Sequence, residues 1–322
     1  MLPPTVQLWL KRTASLWPLH EDEDAGPGSL MAAAAAAELA APDGAPLHGR
    51  TDEAPAGPPN PWPPDRLAVT NHLWGDGFIL PGGEIETMRL AYPLGLSSAA
   101  SLMLVGVGGG GPACCIAKNL GAWVTAYEVE DGLIEQARAL LKASAMSRKA
   151  TVERWNPQRP DFPARHFHHC VAIEPLRCGG EPAHVMDSLA QALKVGGQLV
   201  MAELCADAPL DAGDAATSRW SRIDHRPLPT ILPPTAITRM LRRVGFDVRV
   251  AEDISRRHIE NVLIGWRVAV RHLRQHKPDP LLAARLVAEA ELWLLRVRLL
   301  RQERLRMVRW HAISTATAPH RT

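Results

Sequence analysis

Downstream of Leu102 the chain alternates between short unbroken apolar runs and longer stretches in which apolar residues recur every three or four positions. The first pattern is that of strands buried on both faces, the second that of amphipathic helices. Residues 101–107, 123–128, 151–155, 169–174, 198–204 and 247–251 read as strands, with a turn over 195–197 before the fifth. Residues 112–120, 132–145, 183–193 and 234–244 read as helices. In the second of these Leu133, Ile134, Ala137, Leu140 and Leu141 form one stripe. Two longer helical patterns follow, about 257–274 and 281–304. The latter carries Leu286, Ala290, Trp293, Val297 and Leu300 on one face. Last, in 306–313, Val308, Trp310 and Ala312 share a face, which suits a closing edge strand. Strands alternating with helices predict an α/β, Rossmann-like fold whose mostly parallel seven-stranded sheet has helices on both faces.

Residues 1–63 break this rhythm. The first 64 residues hold twelve of the 28 prolines, the acidic run 21–24 and the alanine tract 32–37. Such a segment cannot bury enough apolar surface to offset its ordering entropy, so a disordered tail is expected, with at most a short helix over 31–41. The domain is expected to span 64–314, with an N-terminal lead-in segment over 64–100, a helical insertion over about 256–304, and a short tail over 315–322.

Composition narrows the function classes. A net charge of +2 with 22% charged residues gives no field that argues for nucleic acid. The five cysteines are odd in number and lack C-x-x-C spacing, which argues against a disulfide framework and for a reducing compartment. The sequence contains no apolar stretch of about 18 residues, so no stable membrane insertion is expected. Lys11 and Arg12 follow an apolar start where a secretory signal would have them precede it. The simplest expectation is a soluble, cytoplasmic protein.

The chemistry centres on Leu104-Val-Gly-Val-Gly-Gly-Gly-Gly-Pro112, which joins a strand to a helix. Glycines there let the backbone turn tightly and admit a ligand where a β-carbon would block it. Backbone N–H groups at a helix start then face the ligand. Glu128 ends the next strand, where a carboxylate can accept from both hydroxyls of a ribose, each bond contributing roughly 1.5–3 kcal/mol. Gly106, Gly108 and Gly111 fit the dinucleotide pattern G-x-G-x-x-G, whereas Gly106, Gly108 and Gly110 fit the shorter G-x-G-x-G. By itself the loop leaves both open.

Leu193-Lys-Val-Gly-Gly-Gln-Leu-Val-Met201 resembles the turn before the fifth strand of class I S-adenosylmethionine (SAM)-dependent methyltransferases, and Arg309-Trp-His-Ala-Ile313 resembles their antiparallel last strand. Leu73-Trp-Gly-Asp-Gly-Phe-Ile-Leu-Pro-Gly-Gly83 is similar to the lead-in segment of phosphoethanolamine N-methyltransferase-like enzymes. The resemblance covers most of 64–314 and implies SAM as cofactor. It implies that Gly106, Gly108, Gly110, Glu128, Val129 and Asn156 contact it, and that Trp74, Gly75, Phe78, Gly82 and Gly83 fold over it. The acceptor class implied is an amine, a lipid headgroup or a quinone-like compound. A SAM-binding regulatory or scaffold protein without turnover and a nicotinamide-dependent oxidoreductase are the alternatives. The sequence departs from the family pattern at Leu104, where an acid is usual, and at Thr70 and Cys178, where phosphoethanolamine enzymes place a Tyr–His pair.

Glu174, at the end of the fourth strand, is the candidate for orienting the acceptor or taking its proton, since parallel sheets bind ligands beyond their carboxyl ends. His72 is a second candidate. His166, His168 and Cys170 share a strand face but have no second ligand cluster, so no metal is expected. Cys114 and Cys115 at the helix start are expected to be packing residues. The arginines of the last long helix and its end, Arg285, Arg296, Arg298, Arg301, Arg304 and Arg306, read as a solvated basic face or as contacts to an anionic substrate.

Overall fold

The computed structural model describes residues 61–275 and 278–315. The expected tail over 1–60, the short helix over 31–41 and residues 316–322 lie outside the described residues. Seven strands form one sheet: β1 (Ser101–Val105), β2 (Trp123–Glu128), β3 (Ala150–Arg154), β4 (Phe167–Ile173), β5 (Leu193–Cys205), β6 (Phe246–Asp253) and β7 (Arg306–Ser314). Their order is β3-β2-β1-β4-β5-β7-β6. The first five strands run parallel, and β7 is antiparallel to both of its neighbours. The α/β class, the seven strands and the antiparallel final strand are therefore as expected.

One placement differs. β7 is not an edge strand but lies between β5 and β6, pairing with both. The alternation that suggested an edge came from its two faces packing differently. Met307, Val308, Trp310 and Ala312 are buried, while Arg309, His311 and Ile313 are half-buried. The turn expected over 195–197 is an irregularity inside β5: pairing jumps from Phe167↔Leu193 to His169↔Gln198, and Gly196 takes φ +76°.

Helices cover both faces. In the lead-in segment α1 (Pro64–Trp74) and α2 (Gly83–Ala91) precede the sheet. Then come α3 (Gly111–Leu120), α4 (Asp131–Ala143), α5 (Pro182–Ala192), α6 (Ala215–Asp224) and α7 (Pro234–Arg243). The insertion is a pair of long helices, α8 (Ser255–Gln275) and α9 (Pro280–Arg301). Local chemistry sets several starts. The side chains of Glu181, Asp214 and Asp279 each accept a backbone N–H in the first turn, and proline begins α1, α5, α7 and α9.

The core has two layers, one on each face of the sheet. The smaller gathers Met103, Val105, Tyr127, Phe167 and Leu189 against α5 and α7. The larger joins the other face to α3, α4 and the helical insertion. The apolar stripe of α9 is buried throughout, as expected: Leu286, Ala290, Trp293, Val297 and Leu300 are all in it. α1 packs on α9 through Arg66–Glu289 and Arg285–Asp65, so the lead-in segment and the insertion close over one end of the sheet together.

Candidate active site

A cleft of about 450 Å³, partly open to solvent, lies beyond the carboxyl ends of β1, β2 and β4. Val105 and Gly106 form its floor. Glu128, Val129, Glu130 and Leu133 line the β2 side, with Trp155 beyond them. Ile173, Glu174, Pro175, Arg177 and Cys178 line the β4 side. Ile79 and Leu80 from the lead-in segment, and Trp62 from just before α1, supply the remaining walls.

The glycine loop is shaped by two kinds of close approach. A β-carbon on Gly106 would lie 2.0 Å from the carbonyl oxygen of Ile173, and Gly106 also has φ +80°. No other residue fits there without moving β4. On Gly108 a β-carbon would meet Ile79 at 2.7 Å, and on Gly110 it would meet Ala137 at 2.7 Å. Of the three, only Gly106 faces the cleft. The other two let the lead-in segment and α4 close onto the loop.

Glu128 is buried, and each of its oxygens is already engaged. Oε2 accepts from the backbone N–H of Gly108 at 2.9 Å, and Oε1 from that of Val129 at 2.7 Å. The carboxylate therefore holds the glycine loop to the end of β2. Burial pushes its ionisation up to about 6, against the opposing pull of those N–H donors. Each carboxylate oxygen has a second acceptor position, so two hydroxyls can still be received. A cradle closed to side chains beside an under-compensated buried carboxylate fits the nucleoside half of SAM.

The same loop is a poor fit to a pyrophosphate. The Gly111 N–H at the start of α3 donates to the Gly77 carbonyl at 3.0 Å, and Pro112 has no N–H. Gly108 gives its N–H to Glu128. With the Gly110 N–H donating to the Val107 carbonyl at 3.3 Å, three of the loop's N–H donors are spent within the protein.

Several expected contacts are placed elsewhere. Trp74 does not line the cleft: it is buried edge-on to Trp293, with ring centroids 5.1 Å apart, and presses on Gly265. Gly82 and Gly83 serve packing at the start of α2, where β-carbons would meet Asn261 at 2.6 Å and the Trp74 carbonyl at 2.2 Å. Phe78 lies under Gly75 and Gly111. The lead-in segment does fold onto the loop, but Ile79 and Leu80 are what it presents to the cleft. Asn156 is exposed and spends its side-chain oxygen on the N–H of Gln158 at 2.9 Å, while its neighbour Trp155 lines the cleft. His72 is exposed on α1, 5.5 Å from the His272 ring, and is not a cleft residue.

Glu174 requires the largest correction. It follows β4 in a left-handed conformation (φ +48°) and is fully enclosed. Its two oxygens are gripped by Arg226 and Arg296. Arg226 also binds Glu203 at 2.9 Å and Asp224 at 3.3 Å, and Arg177 binds Asp224 at 2.9 Å. Burial opposes ionisation of Glu174, but the Arg296, Arg226 and Arg177 charges overcome it and hold the carboxyl far below its ordinary range. For Glu203, burial outweighs Arg226, and Glu174 adds like-charge repulsion, so its ionisation is raised. Three carboxylates and three guanidiniums thus neutralise one another under the β4 side of the cleft. An acid this firmly paired is an anchor and not an open base.

The remaining chemistry-bearing residues are accounted for locally. Arg296 is neither solvated nor a substrate contact, and Arg304 and Arg306 pair with Asp214, Asp207 and Asp253. His168 shares hydrogens with Ser101 at 2.8 Å and Lys194 at 3.0 Å. Among the described residues no group of His, Cys, Asp and Glu could hold a metal ion. Burial pushes the Cys115 thiol up to about 12, consistent with packing. Leu104 is buried in the middle of β1, so no acid stands behind the loop. Sequence reasoning missed Trp62, which composition assigned to the tail. It is 5% exposed, lines the cleft and sits under the guanidiniums of Arg66 and Arg177, 4.0 and 5.3 Å from its ring. Its signal was a lone aromatic in a proline-rich run, which periodicity does not register.

No family model matches the chain. It is 28% identical over 185 residues to the O-methyltransferase resE of Aspergillus sclerotiorum, covering 56% of this chain and 69% of that protein. It is 27% identical over 140 residues to methyltransferase GfsG of Streptomyces halstedii, covering 44% of this chain and 50% of that one. Among solved structures, phosphoethanolamine N-methyltransferase 2 of Haemonchus contortus, bound to phosphomonomethylethanolamine and S-adenosylhomocysteine, superposes with a TM-score of 0.68 at 16% identity, over 78% of this chain and 58% of that one. The chain has the fold of the class I SAM-dependent methyltransferases and is similar in sequence to two named methyltransferases. The [4+2]-cyclase SpnF shares this methyltransferase fold, with a TM-score of 0.60 at 19% identity over 79% of this chain and 92% of that one. The chain thus spans little more than half the length of some proteins it matches.

Proposed function

We propose that the chain transfers a methyl group from SAM to the oxygen of a small-molecule acceptor. The observation that carries this reading is the Gly106–Glu128 cradle, where a buried carboxylate with spare acceptor positions stands beside a glycine loop that spends the N–H groups of Gly108, Gly110 and Gly111 within the protein. The resE relative, named as an O-methyltransferase, supports oxygen over nitrogen. Bound SAM supplies an already electrophilic sulfonium methyl, so the protein's task is to place and desolvate the acceptor. Positioning of this kind can supply up to roughly 7–11 kcal/mol.

Each wall has a part in that task. Glu128 and Val129 orient the nucleoside end. Ile79, Leu80 and Trp62 exclude water. The paired Glu174 stiffens the β4 side and holds the two enclosed arginines behind it, Arg226 and Arg296. Incubation with SAM labelled in its methyl group and a metabolite extract tests the proposal, with label expected in a base-stable methyl ether or a base-labile methyl ester. Tight SAM binding with no labelled product from any extract would favour the second reading, a SAM-binding protein without turnover. That reading draws support from the closed state of Glu174 and from the buried Leu104.

A further inference from the structure

We infer that the β4 side of the cleft, between Trp62 and Arg177, is an acceptor subsite for an apolar compound carrying one acidic hydroxyl, a phenol or enol, held as its anion. This names the acceptor class of the function proposed above and rests on that reading.

The walls on this side are apolar: Trp62, Leu80, Ile173 and Pro175. Set among them is one cation, Arg177, whose side chain is 14% exposed and gives one N–H to Asp224 at 2.9 Å. A guanidinium has five N–H donors, so others remain for a ligand. Its position over the Trp62 ring, 5.3 Å from the centroid, keeps it at the cleft wall. The other titratable groups lining the cleft are Glu128, Glu130, Glu174 and Cys178, with Asp224 and Arg226 behind them.

None of these offers a proton acceptor on the β4 side. Glu174 is spent on Arg226 and Arg296. Glu128 is bonded to the loop and, with Glu130, belongs to the β2 wall. Cys178 is exposed as a residue, but desolvation of its sulfur against the cleft wall and the Glu128 charge raise its thiol and keep it protonated. An acceptor must therefore arrive able to lose its proton to solvent, and Arg177 makes that loss easier. A guanidinium within reach lowers an acid's ionisation, whereas it would repel an ammonium acceptor. The amine class is thereby disfavoured, and a hydrophobic body with one ionisable oxygen matches both wall and charge.

The test uses 4-nitrophenol, whose ionisation is visible by absorbance and needs no turnover. Full-length protein is titrated with it in the presence of S-adenosylhomocysteine, and the ionisation midpoint of the bound probe is compared with that of the free one. The expected result is a midpoint lowered by about one to three pH units, as a neighbouring opposite charge imposes. Arg177→Met should return the midpoint to the free value, and Arg177→Lys should keep most of the shift. Trp62→Leu should weaken probe binding about tenfold or more, an aromatic wall contributing of order 1–2 kcal/mol. Should Arg177→Met not fold, as judged by its melting curve, the Lys and Leu variants decide. Absence of probe binding, binding without a shift, a shift surviving Arg177→Met, or equal binding of benzylamine overturns the subsite. S-adenosylhomocysteine affinity, measured in the same samples, separates the cases: if it binds and the probe fails, only the subsite falls. If it does not bind, the proposed function falls with it.

Discussion

The two sides of the cleft are built by opposite means. The β2 side is made of absence: glycines where β-carbons would collide, and one carboxylate whose burial is only partly offset by two N–H donors. The β4 side is made of excess: three acids and three arginines packed until their charges cancel. A site that must receive hydroxyl donors keeps acceptor capacity in reserve. A wall that must stay rigid pairs its carboxylates and leaves spare donors only on its guanidiniums. Undersatisfaction at Glu128 marks where the ligand goes, and saturation at Glu174 marks what the ligand leans on.

The strongest challenge to this contrast is to unbalance the saturated side. Arg226→Leu leaves Glu174, Glu203 and Asp224 facing one another in the interior. Breaking a buried pair costs about 3–5 kcal/mol, and three acids share this partner. Urea unfolding should show at least that loss, or no folded protein. Glu174→Gln should cost about 3 kcal/mol or more, because two arginines then face an uncharged amide. Were Glu174 a free catalytic base, the same variant would melt like the parent and lose only turnover.

The receiving side should respond in binding, with a cost in folding as well where a β-carbon meets backbone. Gly106→Ala drives a β-carbon into the Ile173 carbonyl and forces alanine into a left-handed conformation. Affinity for S-adenosylhomocysteine should fall at least about tenfold, roughly the 1–2 kcal/mol of such strain, as read by calorimetry. The smallest effect is a proton count. With its ionisation raised to about 6, empty-cleft Glu128 is about half protonated at that pH. Hydroxyl donors favour its charged form, so ligand binding near pH 6 should release protons and affinity should fall as pH drops below 6. Without ligand the sign reverses for stability. The folded carboxyl holds its proton more tightly than the unfolded one, so its contribution is complete below the ordinary value of 4.5 and lost as pH rises through about 6. Calorimetry in buffers of different ionisation enthalpy reads the proton release directly.

The same contrast explains what the sequence made legible. The receiving side is contiguous: a glycine run after one apolar strand and an acid at the end of the next, within 25 residues. Local spacing therefore revealed it, along with six strands and the helices between them. The saturated side draws Glu174, Arg177, Glu203, Asp224, Arg226 and Arg296 from four separate stretches. Each looked like an ordinary surface charge, and only the closure of α6 and α9 over β4 and β5 makes them partners. For that reason Glu174 read as an open base and Arg296 as a solvated face. Family pattern misled in another way at Trp74, Gly82, Gly83 and Asn156. The segments it pointed to reach the cleft through their neighbours Ile79, Leu80 and Trp155. Strand β7 was misjudged as an edge because alternation reports two unequal faces and says nothing of what pairs along the sides.

The central claim is that Gly106 and Glu128 form a receiving site for SAM. The most direct measurement is calorimetric titration of the protein and its Glu128→Ala variant with SAM, S-adenosylhomocysteine and NAD(H). The parent should bind the first two and not the third. The variant should bind them about 10- to 100-fold more weakly, the loss expected for charged hydrogen bonds to two hydroxyls. Binding of NAD(H) without SAM, or SAM affinity unchanged by Glu128→Ala, would contradict it.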